Sequence, residues 1–497
     1  MTLGRRCGER GRLWVRLLLV AAIVAILSAG IWVWRSPRTQ VPTFRSPSAA
    51  ERSQSEAARR LRAGAAGANL IIIVTDAAAA GHFTSFGYRR NATPNMSRFH
   101  EEGVLLTEAY SAGASTKPSI ASLFTSQSPD THGTLSVLSR LTGDGATLAE
   151  CLKGAGYRTA GFSASPSVSA AFGFSRGFDF FHELFREVGL EPVGPGPRNT
   201  GGTPVDGALV LRSALRWIRG HENERFFTYL HFREPHSPYG APPSFHADFA
   251  DSESTERGVS ALLYDTGLAY VDSLVGRLLQ ELDARGLLDK SVVVLLADHG
   301  EAFGEHGRFG HNSTAYREMM RVPLAFHLPS GCGVAPRRRS EVFSTTDLMP
   351  TLLDLFQIPP PETMQGRSRL ALLAGEQEET AGFAVSRALG EDRTGGKQKP
   401  EEVSYALRVP RYTLLLADRG RRVELYDREA DPGELNDIAG ERPEVVKKLQ
   451  AQFAAWADSQ RGRPVVLPGG RVFAVVGKES DIDDTTRRQL KSLGYLK

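Results

Sequence analysis

Two continuous aliphatic runs, Asn69-Leu-Ile-Ile-Ile-Val-Thr-Asp76 and Ser291-Val-Val-Val-Leu-Leu-Ala-Asp-His-Gly300, lie more than two hundred residues apart, and each breaks off at a carboxylate. An unbroken β-branched run with no polar alternation is the pattern of a strand covered on both faces, as in a parallel sheet packed between helices. Ligands of such sheets bind outside the carboxyl ends of the strands. Asp76, Asp298 and His299 are therefore expected to converge, and two carboxylates with an imidazole suit a divalent cation. Taken alone, either Asp reads rather as the cap of the helix that follows its strand; a third stretch changes that.

A third stretch, Ser115-Thr-Lys-Pro-Ser-Ile-Ala-Ser-Leu-Phe-Thr125, places a hydroxyl two residues ahead of a proline suited to the first turn of a helix. Unpaired backbone N–H groups and the positive end of the helix dipole there favour an ionised nucleophile and an anionic substrate. A lone Thr in that position is commonly an N-cap; the neighbouring motifs are what mark Thr116.

In order along the chain come Thr93-Pro-Asn-Met-Ser-Arg-Phe99 with Glu102-Gly-Val104, the Thr116 stretch, Pro235-His-Ser-Pro-Tyr239, Asp298-His-Gly-Glu301, Gly310-His311 through Arg321-Val-Pro-Leu324, and Leu425-Tyr-Asp-Arg-Glu-Ala-Asp-Pro-Gly-Glu434. Together they resemble the sulfatases of the alkaline phosphatase superfamily, from about Asn69 to the C-terminus. Members of that family carry an Asp pair after the first strand and a Cys or Ser, converted to formylglycine, in a motif ending in Arg. Here Ala77 stands at the second Asp, Thr116 at the nucleophile and Ile120 at the Arg. The same superfamily contains lipoteichoic-acid synthases and phosphoethanolamine transferases, which use an unmodified Thr, one acidic residue from the first strand and an Asp-His pair. Asp76, Thr116, Asp298 and His299 match that reduced set. The resemblance implies that these four hold one divalent metal ion (Ca, Mn, Mg or Zn) and that His236 and His311 contact the anion or protonate the leaving group. Lys117 is added from the chemistry alone, as a cation for the same anion. His82, His132 and His306 read as structural.

The N-terminus carries Arg5, Arg6, Arg10, Arg12 and Arg16 ahead of an uncharged apolar run from Leu17 to Trp34. That length approaches what spans a bilayer, and the arginines place the N-terminal end in the cytoplasm. The expectation is a single-pass membrane anchor with the catalytic domain exported, periplasmic or extracellular; a cleavable signal peptide ending near Leu27-Ser-Ala-Gly30 fits the same residues. A net charge of +4 over 497 residues, with no basic patch interleaved with aromatics, excludes a nucleic-acid partner. Cys7, Cys151 and Cys332 make no disulfide framework, and Cys151 with Cys332 is the one exported pair.

The remaining patterns alternate strands with helices: a helix from Thr93, helix then strand over Leu148–Phe162, a Gly/Pro loop over Pro192–Pro204, helices over Asp206–Arg219, Thr255–Arg285 and Asp347–Phe356, and a strand over Phe226–Phe232. After Glu402 come short strands at Ser404–Val409, Tyr412–Ala417 and Val423–Tyr426, and an amphipathic helix over Pro443–Arg461. The predicted fold is α/β: an alkaline phosphatase-like core with a mostly parallel sheet flanked by helices, a small C-terminal α+β subdomain with a short antiparallel sheet, and one N-terminal transmembrane helix. Its expected parts are a cytoplasmic N-terminus and anchor (1–35), a linker (36–67), the catalytic domain (68–390), the C-terminal subdomain (391–475) and a tail (476–497). The predicted activity is metal-dependent cleavage or transfer of a sulfuric or phosphoric ester, the substrate being an anionic glycan or lipid headgroup. An inactive protein of the same fold that binds such an anion is the other reading, favoured by Ala77 and Ile120.

Overall fold

The computed structural model describes residues 55–142, 145–187, 206–239, 241–242, 245, 256–377, 382–389, 403–460 and 482–492. The apolar run 17–34 of the expected anchor, the loop 192–204 and the expected boundary at 390–402 lie outside these residues. Among the described residues no helix is long and apolar enough to cross a membrane.

In chain order the strands are β1 (Asn69–Asp76), β2 (Val104–Tyr110), β3 (Arg158–Ser163), β4 (Phe180–Glu183), β5 (Phe226–Pro235) and β6 (Ser291–Ala297). A two-residue pair, β7 (Ala302–Phe303) and β8 (Phe309–Gly310), precedes β9 (Arg321–His327), β10 (Arg337–Arg339) and β11 (Phe343–Ser344). The C-terminal strands are β12 (Ala384–Ala388), β13 (Ser404–Arg408), β14 (Tyr412–Ala417) and β15 (Arg422–Asp427). Nine strands form one sheet in the order β10-β2-β9-β6-β1-β5-β3-β4, with β11 also on β2. Only β9 runs against its neighbours. Every residue of β1, β5 and β6 is buried, as the aliphatic runs of β1 and β6 require, while β5 also buries Tyr229, His231 and Arg233 at alternate positions.

Register is what assembles the far end of the sheet. β1 lies parallel between β5 and β6, with Thr75 opposite Ala297 and Val74 opposite His231. Strands running the same way finish at the same edge, so Asp76 and Asp298 emerge side by side. The β1–β5 ladder shifts after Thr75, pairing Asp76 with Pro235, which puts Arg233 and Glu234 in a bulge. Bulges of this kind re-aim side chains beside active sites.

Two expected boundaries are corrected. The linker expected over 36–67 contains a helix, Glu56–Gly64, capped by the Ser55 side chain on Ala58 N. It buries Ala58 and Leu61 in the main core, and Arg62 pairs with Asp354 at 2.9 Å, both side chains under one-tenth exposed. The C-terminal sheet, antiparallel in the order β12-β13-β14-β15, begins at Ala384, ahead of the expected boundary at 391. It is stitched to the core just before Thr116: Arg387 N donates to Ala112 O and Ala114 N to Arg387 O, while buried Arg387 pairs with Asp130 at 3.0 Å. Cys151 and Cys332 are free thiols. In the tail, helix Asp484–Ser492 docks through Gln489 on Phe185 O and Asp483 on Arg186.

Candidate active site

Asp76, Asp298 and His299, at the ends of β1 and β6, are fully or almost fully buried. One oxygen of each carboxylate and one nitrogen of the imidazole lie within 4.8 Å of one another. The turn after β1 is shaped for this. Ala77 takes a left-handed φ of 61°, which costs a non-glycine residue about 1 kcal/mol. Ala77 N donates to Asp298 Oδ1 (3.0 Å) and the Tyr264 hydroxyl donates to Ala77 O (2.7 Å), so the turn ties the two strand ends together. Gly300 is needed after His299 because a Cβ there would come within 2.1 Å of Glu318 O.

Thr116 opens the buried helix Thr116–Thr125. Its Oγ1 donates to Asp76 Oδ1 at 3.3 Å and lies 3.4 Å from His299 Nε2. His299 Nδ1 is 2.9 Å from Gly300 O, so the ring proton sits there and Nε2 turns a lone pair to the cluster. Oδ2 of Asp298 is buried and accepts no hydrogen bond among the described residues, and Oδ2 of Asp76 faces only His231 Nε2, 3.3 Å away. The lone pair of His299 Nε2, with Asp76 Oδ1 and the unsatisfied Asp298 Oδ2 each 3.6 Å from it, fits a divalent cation.

The electrostatics agree. Burial pushes the Asp298 carboxyl above its ordinary range, and the neighbouring Asp76 pushes it further. Burial also raises Asp76, but the surrounding His236, His231 and His299 outweigh it and hold the carboxyl low. His236 is itself driven toward its neutral form, by burial first and by Arg233 among its neighbours, so its share of that relief is small. The paired carboxylates therefore call for an external cation. His311 stands opposite in character: burial lowers it, yet Glu301, 3.1 Å from its Nδ1, carries it to about 9. The rings of His236 and His299 lie 4.8 and 4.5 Å from that of His311.

The structure thus brings together Asp76, Thr116, Asp298, His299, His236 and His311. Lys117 is different. Its ammonium donates to Val137 O and Ser139 O and sits 2.9 Å from the Phe172 ring centroid, and burial pushes its pKa well below the usual lysine range. The anion-binding role expected of it has no support. His82 pairs with Asp265, His132 with Ser122, and His306 bridges Glu318 and Glu434 O while stacking on Tyr316, all structural roles.

Three residues of the site escape the sequence reading, Tyr229, His231 and Arg233; Glu301, quoted there within its motif, is given no role. The Tyr229 hydroxyl lies 2.7 Å from His231 Nδ1, and His231 Nε2 lies 3.3 Å from Asp76 Oδ2. For Tyr229 and His231 the signal was two polar rings two residues apart, hence on one face, set among Phe227, Leu230 and Phe232.

A model of the sulfatase family matches residues 68–358, and one for the C-terminal part of N-sulphoglucosamine sulphohydrolase matches residues 304–459. The chain is 25% identical over 478 residues to an N-acetylgalactosamine-6-O-sulfatase of Bacteroides thetaiotaomicron, covering 77% of this chain and 91% of that one. It is 24% identical over 435 residues to an ulvan-active sulfatase of Formosa agariphila, covering 80% and 83%. Among solved structures it is similar to the phosphonate monoester hydrolase of Agrobacterium radiobacter, with a TM-score of 0.68 at 20% identity over 79% of this chain and 96% of that one. The first family match alone spans more than half of the sequence, so the chain belongs to the sulfatase family of the alkaline phosphatase superfamily and is a sulfatase-like hydrolase.

Proposed function

We propose that the protein cleaves an anionic phosphate or sulfate ester through Thr116, at a site where Asp76, Asp298, His299 and Thr116 hold one divalent cation. The observation that carries this reading is the convergence of Thr116 Oγ1, Asp76 Oδ1 and His299 Nε2 within 3.3–3.6 Å at a helix N-terminus. When bound, such a cation supplies positive charge that favours an ionised hydroxyl and neutralises oxygens of the transferring group.

The chain's own residues do the rest. Asp76 Oδ1 accepts the Thr116 proton. The threonine oxygen bonds to phosphorus or sulfur as the bond to the leaving alkoxide breaks on the opposite side. His311, held protonated at neutral pH by Glu301, gives its proton to that alkoxide. Now neutral, His311 takes a proton from the water that displaces the group from Thr116, and Asp76 returns its proton to the departing Thr116 oxygen, which restores all three residues. His236, uncharged in its buried setting, orients the anion by hydrogen bonding.

By their names, the two sulfatase relatives act on 6-O-sulfated N-acetylgalactosamine and on ulvan, and the structural neighbour acts on phosphonate monoesters. Thr116 favours a phosphate ester for this chain. A threonine cannot become formylglycine, and its ester must be released by in-line displacement, to which phosphorus is well suited. The test is turnover of p-nitrophenyl phosphate, bis(p-nitrophenyl) phosphate and p-nitrophenyl sulfate by the wild-type protein and by Thr116→Ala. The expected result is loss of all turnover in the variant at a stability cost of about 1 kcal/mol or less, the value of a helix-terminal hydroxyl. Turnover by Thr116→Ala within a few-fold of wild type would remove Thr116 as the nucleophile.

A further inference from the structure

We infer that Arg233 binds the anionic group of the ester, supplying the positive charge that the nucleophile helix lacks at Ile120; the inference rests on the Thr116 reading of the site. A site that stabilises charge on a transferring phosphoryl or sulfuryl group needs fixed cations or donors around it. The nucleophile helix offers backbone N–H groups but no cationic side chain: Ile120 is a fully buried core residue, and Lys117 is engaged with two carbonyls and a phenyl ring.

Arg233 answers this by an unusual arrangement. It is 3% exposed, in the bulge where β5 loses register with β1. The two bulge residues part company. Glu234 turns away to accept Gly207 N at 2.9 Å, and burial lifts its carboxyl to about 7, so it is a poor counter-ion. Arg233 turns to the site, with Nη2 donating to Ser237 O and 3.3 Å from His236 Nδ1. That places the guanidinium one imidazole away from His311 and His299.

Among the described residues no carboxylate lies within ion-pair distance of Arg233. Elsewhere in this protein buried arginines are paired: Arg62 with Asp354, Arg369 with Asp347, Arg387 with Asp130, Arg408 with Glu434. A buried cation without a counter-ion is costly, and is retained where a ligand brings the opposite charge. A planar guanidinium matches two oxygens of a phosphate or sulfate at once, which an ammonium does not.

The test uses the full-length protein loaded with Mn²⁺ and titrated calorimetrically with inorganic phosphate and, separately, inorganic sulfate. Arg233→Gln is expected to weaken the tighter-bound anion about 10-fold or more, with metal content unchanged, and Arg233→Lys to recover part of the loss. The ligand-free Arg233→Gln protein should unfold at the same or a higher denaturant concentration than wild type, because an uncompensated charge has been removed. An arginine present only to brace Ser237 and His236 gives the opposite pattern: lower stability with anion affinity unchanged. That pattern, or a wild-type protein that binds neither anion, overturns the inference. The two readings fail separately. Turnover through Thr116 without Arg233-dependent anion binding sinks this one alone, and Arg233-dependent binding with full turnover by Thr116→Ala sinks only the nucleophile.

Discussion

Replacing Asp298 by Asn should stabilise the metal-free protein and make it nearly indifferent to metal. The ligand atoms of Asp76 and Asp298 lie no more than 4.8 Å apart, and two unit charges at that distance repel by about 3.5 kcal/mol at an effective dielectric near 20. Asparagine keeps the Oδ1 that accepts Ala77 N and His299 N and loses only the charge. Asp298 Oδ1 accepts from Ala77 N and His299 N more strongly as a carboxylate than as an amide, so a net gain of about 2–3 kcal/mol is expected in chelator. The sign with pH follows from the raised folded-state pKa of Asp298. Its cost is absent below the unfolded value, grows as pH rises through the folded one, and is complete above it. The advantage of Asn should accordingly vanish in acid and be full at pH 8. Adding cation to about 100 times the wild-type dissociation constant stabilises the wild type by about 2.7 kcal/mol, whereas a variant binding about 100-fold more weakly gains only about 0.4 kcal/mol. The gap should therefore close. Guanidinium unfolding curves of both proteins, in EDTA and in Mn²⁺, measure all four stabilities. An Asn variant less stable than wild type in EDTA, or an equal metal response in both, would refute the metal-site reasoning and leave Asp298 as a structural cap.

Two further outcomes follow from single contacts. His231→Phe keeps the ring volume but removes the nitrogen beside Asp76 Oδ2 and the acceptor of the Tyr229 hydroxyl; it should raise the metal dissociation constant about 10- to 100-fold in a competitive chelator titration, and an unchanged constant would mean that His231 does not position Asp76. Glu234→Gln removes a carboxyl raised from 4.5 to about 7, whose cost starts at the unfolded pKa and is complete above the folded one; the variant should match wild type below pH 4 and exceed it by about 3 kcal/mol at pH 8, and a pH-independent difference would contradict a neutral buried Glu234.

The parts of the site that sit at strand ends were legible, because a buried strand announces itself by composition and its last residue then has a known place. Asp76, Asp298 and His299 gained their meaning from converging strand ends, and Thr116, at the helix start marked by Pro118, from the ordered motifs around it. Arg62 shows the opposite case. Within Glu56–Gly64 the residues are Ala- and Arg-rich and resemble a solvated linker; their burial depends on Asp354, far along the chain. Lys117 was misread for a related reason: sequence locates a side chain on a helix but not the two carbonyls that capture it.

Sequence by itself determined which segments are buried strands, where each ends, and which chemical groups stand at those ends, since these depend on local periodicity and on bonds between neighbours along the chain. Tertiary structure alone decided which strand lies beside which. By setting β5 against β1 and slipping their register after Thr75, it turned His231 toward Asp76 and Arg233 toward His236. The first contact joins residues far apart along the chain, and the second, between residues only three apart, is aimed by the bulge that this pairing imposes, so neither is set by a local preference of the backbone.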